Sequence, residues 1–460
     1  MSTPQHPFQE STLQVKPTSS RRNSQQPHFL VTADGDGIAN HVGSAAIREL
    51  ADRLGLTRAL SKALAGMRRR SSAHNPGHVL RDLVVMLVDG GDSVADVGAL
   101  RDQPDLFGKV ASTPTAWRVV DAMTEADLSR LRDARRQARE ESWRRGGAPS
   151  EIVLDFDATL VTAHSEKENA APTFKRGFGF HPLTCYLDES GEALAAKLRA
   201  GNAGSNTVID HVEVLEMAME QLPESAWEMD ILARADSSGA THGFLDALRA
   251  YEIRFSVGFD LTEPVREAVL AMPESAWRPA LSQAGEEREG AGVCELTGLD
   301  LSTWPRGTRA ICRRERPHPG AQLTFTDHQG YRFQVFITDQ SDADIVALEV
   351  RHRAHARVED RIRCAKDTGL SNFPFHDFLP NQVWLELVLA AQDLIAFFQR
   401  LCLVGEAQAW EPKKLRYRLL HTAARIVRSS RRLILKLQSN WRWTPQLYEA
   451  FRRMRALAAA

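Results

Sequence analysis

Ile152-Val153-Leu154-Asp155-Phe156-Asp157-Ala158-Thr159-Leu160-Val161-Thr162-Ala163-His164 is the stretch on which the reading of the fold turns. An apolar run, Ile152 to Leu154, ends in two carboxylates with Asp-x-Asp spacing, followed by a small residue and a hydroxyl. A strand of this pattern delivers its acids to the edge of a sheet, where oxygen ligands can hold a hard cation. Two chemistries use such an edge: metal-assisted phosphodiester cleavage and aspartyl-phosphate phosphatases.

On the C-terminal side, strand-like segments follow at 183–187 and 193–199, joined by a turn at Asp188-Glu189-Ser190-Gly191. Val208, Val212, Leu215, Met219 and Leu222 predict a helix near 207–221. A short strand from Met229 to Ala235 ends in Asp236 and runs into Ser237-Ser238-Gly239, before a helix at 241–250 and a strand at 253–258. The order β-β-β-α-β-α-β is that of a mixed α/β sheet whose first strand is central. Asp157 and Asp236 both fall at strand ends. Residues 262–320, rich in Glu, Gly, Pro and Arg, read as a β-rich insertion. Strands resume at 322–326 and 331–337, and a helical stretch at 342–367 carries Arg357-Val358-Glu359-Asp360-Arg361-Ile362-Arg363.

On the N-terminal side, residues 1–28 are rich in Ser, Gln, Pro and Thr and read as a disordered tail. Residues 29–147 are helical in pattern. Gly55 marks a break between two short helices, and Pro76 and Gly90-Gly91 bracket another. Ser112-Thr113-Pro114 opens a further one. With Arg68-Arg69-Arg70 between them, these helices suit either a helix-turn-helix DNA-binding module or an ordinary bundle. The domain reading is therefore a tail (1–28), a helical region (29–147), a core in two parts (148–261 and 321–370) around the insertion (262–320), and a helical basic C-terminal region (371–460).

Composition agrees with a soluble multidomain chain. Its 460 residues allow roughly three domains of about 150 residues, and 43% hydrophobic with 25% charged residues is ordinary for globular proteins. No apolar run approaches the roughly 20 residues of a membrane helix, and no signal peptide opens the sequence, so a cytoplasmic setting without membrane contact is expected. Cys185, Cys294, Cys312, Cys364 and Cys402 form no Cys-x-x-Cys pair, which argues against a structural zinc or a disulfide framework. Net charge is only −1, yet residues 413–455 hold 13 Lys and Arg against one acid, Glu449. Such a local excess suits phosphate neutralisation, or simply a solvated helical face.

The candidate site follows from these placements. If Asp157, Asp236 and Glu359 converge, two strand ends and one helix each supply a carboxylate. Three such groups need a cation to stay ionised together, and two Mg²⁺ ions, with Mn²⁺ as substitute, suit them. Arg363 and Lys366, at i+4 and i+7 from Glu359, share its helical face and suit phosphate oxygens. Simpler roles compete: Asp236 as the cap of a turn, and Glu359 as the i+4 partner of Arg363.

Asp157-Ala158-Thr159, Arg234-Ala235-Asp236-Ser237 and Arg357-Val358-Glu359-Asp360-Arg361-Ile362 with Lys366 resemble the DDE transposases of bacterial insertion sequences, most nearly the group built around the thirteen-eighty insertion element. The resemblance extends from about Ala33-Asp34-Gly35 to Leu403 and includes Lys366-Asp367-Thr368-Gly369. It implies a ribonuclease-H-like mixed-sheet core with a β-rich insertion, flanked by helical N- and C-terminal regions. By the same resemblance Asp157 contacts both metal ions, and Asp236 and Glu359 help to hold one each. The implied partners are double-stranded DNA, as terminal inverted repeats and target, with a dimer assembled on DNA in the bacterial cytoplasm and nucleoid. Arg361, Arg363, Lys366 and His355 are the DNA-contact candidates, and Trp304 of the insertion is a base-stacking candidate by location. Hairpin-forming relatives place Tyr and Arg before the Glu and Lys; here those positions are His352 and His355, while Lys366 matches.

Asp155-Phe156-Asp157-Ala158-Thr159-Leu160-Val161 also resembles the first motif of haloacid-dehalogenase-type phosphatases, with Asp155 as nucleophile and Asp157 as general acid. That fold continues as alternating β-α units, whereas strands follow the motif here. A non-catalytic DNA-binding protein would explain the helices and the basic C-terminus but not the acids.

Overall fold

Ile152, Val153 and Leu154 are all buried, so the strand they begin is covered on both faces. The computed structural model describes residues 30–68, 74–163, 166–317, 328–430 and 432–457. The expected tail (1–28), the strand at 322–326, and Arg69 and Arg70 lie outside the described residues. The described chain divides at Gly37. Residues 30–37 carry neither helix nor strand, and the second unit runs from Ile38.

The strands of that unit are β1 (Ile38–Ala39), β2 (Ile152–Ala158), β3 (Val161–Thr162), β4 (Ala171–Pro172), β5 (Phe178–Phe180), β6 (Leu183–Leu187), β7 (Ala193–Lys197), β8 (Ile231–Ala235), β9 (Arg254–Phe259), β10 (Arg278–Leu281), β11 (Glu287–Glu295), β12 (Arg309–Glu315), β13 (Arg332–Thr338), β14 (Ala424–Ser429) and β15 (Arg432–Leu437). Nine of them form one sheet in the order β10-β11-β12-β13-β9-β8-β2-β6-β7. β2, β8 and β9 run parallel, and the other neighbours pair antiparallel. This is the mixed α/β sheet expected, with β2 interior. Residues 262–320 hold a short helix and β10, β11 and β12, which lengthen the central sheet through β13.

Ahead of the sheet come α1 (Val42–Arg53), α2 (Leu56–Ala63), α3 (Pro76–Asp89), α4 (Gly98–Arg101), α5 (Pro104–Phe107), α6 (Thr113–Asp121) and α7 (Glu125–Ser142). Gly55, at φ 77°, separates α1 from α2, a backbone that glycine adopts without penalty. Within and after the sheet come α8 (Val208–Gln221), α9 (His242–Ala250), α10 (Glu263–Leu270), α11 (Ile345–Arg353), α12 (Arg357–Ala365), α13 (Phe378–Cys402), α14 (Pro412–Leu415) and α15 (Thr444–Ala456). Ile152, Leu154 and Phe156 share one core with Leu215 of α8, Phe244 of α9 and Val269 of α10, so those helices cover one face. On the opposite side Tyr186 and Ala193 join a second core with α12, α13 and α1 to α7. The N- and C-terminal helical regions are therefore packed around one element, the almost wholly buried α13. No helix among the described residues is long and apolar enough to cross a membrane.

Residues 424–437 correct the expectation of a helical C-terminus: β14 and β15 form a hairpin extended by β1. Ile426-Val427 and Leu433-Ile434-Leu435 are short apolar runs among basic residues, and periodicity alone cannot tell such runs from helix.

A buried ion network joins helix layer to sheet. Arg135 and Arg139, one turn apart on α7, donate to Asp393 of α13 at 2.8 and 2.7 Å. Arg135 also pairs with Glu386, and Arg139 reaches Glu192 before β7 at 2.8 Å. Asp393 accepts a further bond from the Ala193 N–H at 3.0 Å. Removing one member of such a set strands a buried charge. Asp393→Ala is therefore expected to lower stability by about 3–5 kcal/mol, read by denaturant unfolding followed through tryptophan fluorescence. An unchanged midpoint would show that the network is not holding α7, α13 and β7 together.

Candidate active site

β2 and β8 pair in parallel with Phe156 opposite Ala235, so the next residues, Asp157 and Asp236, leave adjacent strand ends. Neighbouring strands lie about 4.8 Å apart, which brings two acids remote in sequence side by side. Asp157 is half-buried. Its Oδ1 accepts from the Ala158 N–H at 2.7 Å, and the Thr184 hydroxyl donates to its carbonyl at 2.8 Å, locking the strand end. Asp236 is exposed and caps the turn Ser237–Gly239, its Oδ1 accepting from the Ser238 N–H at 3.0 Å and from the Ser238 hydroxyl. Capping and membership of the acid cluster are thus compatible, because Oδ2 takes no part in the turn. Gly258 permits this approach: a β-carbon there would sit 2.8 Å from the Ser237 nitrogen. Glu359, the third candidate acid, is exposed in the first turn of α12, and α12 packs against β2.

Asp157 feels the charges of the other two acids. Desolvation pushes the Asp157 carboxyl up to about 6; His355 and the Ala158 N–H pull it down, and the negative charges of Asp236 and Glu359 push it further up. The donor set is oxygen only, which suits a divalent hard cation. Lys366, just past α12, is the nearby basic group: desolvation and Lys175 hold its ammonium below the usual lysine range, while Asp157 acts in the opposite sense. Lys175, between β4 and β5, was not identified from sequence. No local pattern marks it, and only the fold brings its loop to Lys366.

Asp155, the other acid of the motif, is buried and fully engaged. Arg234 binds it in bidentate fashion, Nε to Oδ1 at 2.8 Å and Nη2 to Oδ2 at 2.6 Å. His355 Nδ1 lies 2.8 Å from Oδ1. Arg234 also reaches Asp188 at 2.9 Å and the Arg351 carbonyl at 2.6 Å. A carboxylate so enclosed is a structural anchor and has no free oxygen for nucleophilic attack, which removes the physical basis of the phosphatase reading.

Among the remaining candidates, the fold brings His355 and Lys366 to the acids and turns two arginines elsewhere. Arg361 donates to the Asp188 carbonyl at 2.9 Å and lies against Gly191. Arg363, a DNA-contact candidate, pairs with Glu411 at 2.8 Å and Asp360 at 2.9 Å, partners other than the Glu359 of the competing i+4 reading. Trp304 packs on the sheet core, stacked on His242 at 4.1 Å and edge-on to Phe259 at 5.4 Å. His352 lies flat on Phe336, ring centroids 4.2 Å apart and planes 6° apart, with the Ser256 hydroxyl 3.0 Å from Nδ1. Desolvation, then His355 and Arg234, push its pKa down to about 3, so this ring is a neutral packing group.

The family model for the transposase DDE domain, group 1, matches residues 22–459. No curated protein matches the chain. Among solved structures, the cryo-EM structure of a piggyBac transposase synaptic complex with hairpin DNA is similar at 10% identity and a TM-score of 0.43, covering 82% of this chain and 80% of that one.

The state of His352 has a pH consequence. Its folded pKa of about 3 lies below the unfolded value of about 6.5, so the unfolded chain binds the extra proton between them. The contribution is complete above about 6.5 and is lost as pH falls toward about 3. His352→Phe, which keeps the stack on Phe336, should make the unfolding free energy fall less steeply over this window. Equal slopes in parent and variant, or an imidazole titrating near 6.5 by NMR, would contradict the assignment.

Proposed function

We propose, for a chain that belongs to the group 1 family of DDE transposase domains, a DNA transposase whose Asp157, Asp236 and Glu359 carry the strand chemistry. The single observation that most supports this triad is the parallel register of β2 and β8, which sets Asp157 and Asp236 on adjacent strands, with α12 and its Glu359 packed against β2. By the family resemblance Asp157 would be shared by two ions, and Asp236 and Glu359 would help to hold one each. Mg²⁺, or Mn²⁺ in its place, would supply activation of water or a 3′-hydroxyl and stabilisation of the leaving oxygen.

The chain's own groups divide the remaining work. Asp236 keeps one oxygen on Ser238, which fixes its rotamer, and presents the other. Lys366 and Lys175 hold non-bridging phosphate oxygens, and His355, oriented by Asp155, faces the same phosphate in place of the family's arginine. Trp304, engaged by His242 and Phe259, would need to change these contacts to stack on an extruded base. Duplex DNA, as element ends and target, continues along the C-terminal hairpin, where Arg428, Arg432 and Lys436 are exposed. Two ends must meet for strand transfer, so the working assembly is a dimer on DNA.

Asp157→Asn, Asp236→Asn and Glu359→Gln should each reduce Mg²⁺-dependent cleavage of a labelled end duplex, and joining of its 3′-hydroxyl, by more than about 100-fold, beyond what losing an outer-shell metal partner costs. Gel-shift binding to the same duplex should persist. Full cleavage by all three variants would sink the assignment. Turnover of p-nitrophenyl phosphate that depends on Asp155 would instead support the phosphatase.

A further inference from the structure

Three residues from remote segments aim ligand atoms at one point outside the acid triad. His41 precedes α1, Asp89 ends α3, and His421 lies between α14 and β14. His41 Nδ1 is 2.7 Å from Asp89 Oδ2. His421 Nε2 is 3.3 Å from Asp89 Oδ1 and 2.9 Å from the Asp89 carbonyl oxygen. One ligand atom from each residue lies within 4.8 Å of the other two. Zinc bonds of about 2.0 Å set tetrahedral ligands about 3.3 Å apart, so the cluster has the right dimensions. We propose that His41, Asp89 and His421 form a zinc site, with solvent completing the coordination.

The two imidazole rings lie 4.1 Å apart, tilted by 35°. Two imidazolium rings at that separation repel, and one Asp89 carboxylate neutralises only one of them. A single divalent ion bound by two neutral rings and the carboxylate satisfies all three groups. His41 is held at φ 59°, a left-handed backbone that is uncommon for a residue with a β-carbon and marks a constrained position. Asp89 is buried at 7% exposure and takes a bond from the Ser44 hydroxyl, the kind of outer partner that orients a metal-binding carboxylate. The imidazoles are 32% and 37% exposed, which leaves an entry path and room for water. Nitrogen ligands select zinc over magnesium, so this site differs in chemistry from the oxygen-only triad.

Its position gives it a task. The Val42 N–H donates to the Thr422 carbonyl at 3.2 Å, and Ala39 pairs with Ala424. An ion here ties the start of the helical region to the root of the basic hairpin. No cysteine takes part in this cluster and its ligands come from separate segments, so the scattered cysteines do not bear on it.

The test uses the full chain with Asp157→Asn and Glu359→Gln, so that the triad does not contribute to metal content. After chelation and dialysis against Zn²⁺, elemental analysis should find about one zinc per chain. Co²⁺ should give a tetrahedral d–d spectrum, and Zn²⁺, not Mg²⁺, should raise Tm. His421→Ala or Asp89→Asn should lose all three effects. Imidazole ¹⁵N NMR of the unsubstituted chain reads the site without a variant, with zinc shifting the His41 and His421 resonances. Zinc content no higher than in the His41→Ala/His421→Ala double variant, or unshifted resonances, overturns the proposal and leaves a hydrogen-bonded cluster.

Discussion

The Arg234–Asp155 ion pair is the constraint on which the acid cluster depends. It joins β8 to β2 across their parallel register and neutralises the inner acid of the Asp-x-Asp motif. Through the Arg351 carbonyl and His355 the same pair reaches the last turn of α11 and the segment joining it to α12. Asp188, bound by Arg234 and Arg357, adds the turn between β6 and β7. Two strands, a turn and the helix of Glu359 are thus oriented by one guanidinium, whose planar donor fork can serve several oxygens at once. A lysine offers no such fork.

Around that centre the chain wraps twice. Helices from the N-terminal third and the basic C-terminal region share a core with α13, and the Arg135–Asp393–Arg139 network connects this core to β7. The helical region called a candidate DNA-binding module is therefore continuous with the body that carries the acids. Movement of one against the other would have to break buried ion pairs, which is costly.

Much of the site was legible along the chain. Asp157 and Asp236 could be placed at strand ends because apolar runs precede them, and Glu359 could be placed on a helix. The roles of the basic residues were not. Arg361 and Arg363 have the spacing to share a face with Glu359, yet Asp188 and Glu411, supplied by other segments, capture them. His352 stands where hairpin-forming relatives have a tyrosine, and it stacks on Phe336. Lys175 and the His41–Asp89–His421 cluster leave no local trace, since their partners are separated by long stretches of chain. The hairpin of β14 and β15 was missed for a different reason: its apolar runs are too short to declare a period.

What the sequence determined by itself is that β2 is a buried strand carrying an Asp-x-Asp pair, that Asp236 follows a second strand and that Glu359 sits on a helix, because apolar runs and periodicity are local properties of the chain. Only the tertiary structure decided which of Asp155 and Asp157 is free to act, since that depends on where Arg234 spends its charge. It also decided which cations face the acids, because a flexible basic side chain goes to the nearest buried or fixed carboxylate, and that neighbour is set by folding.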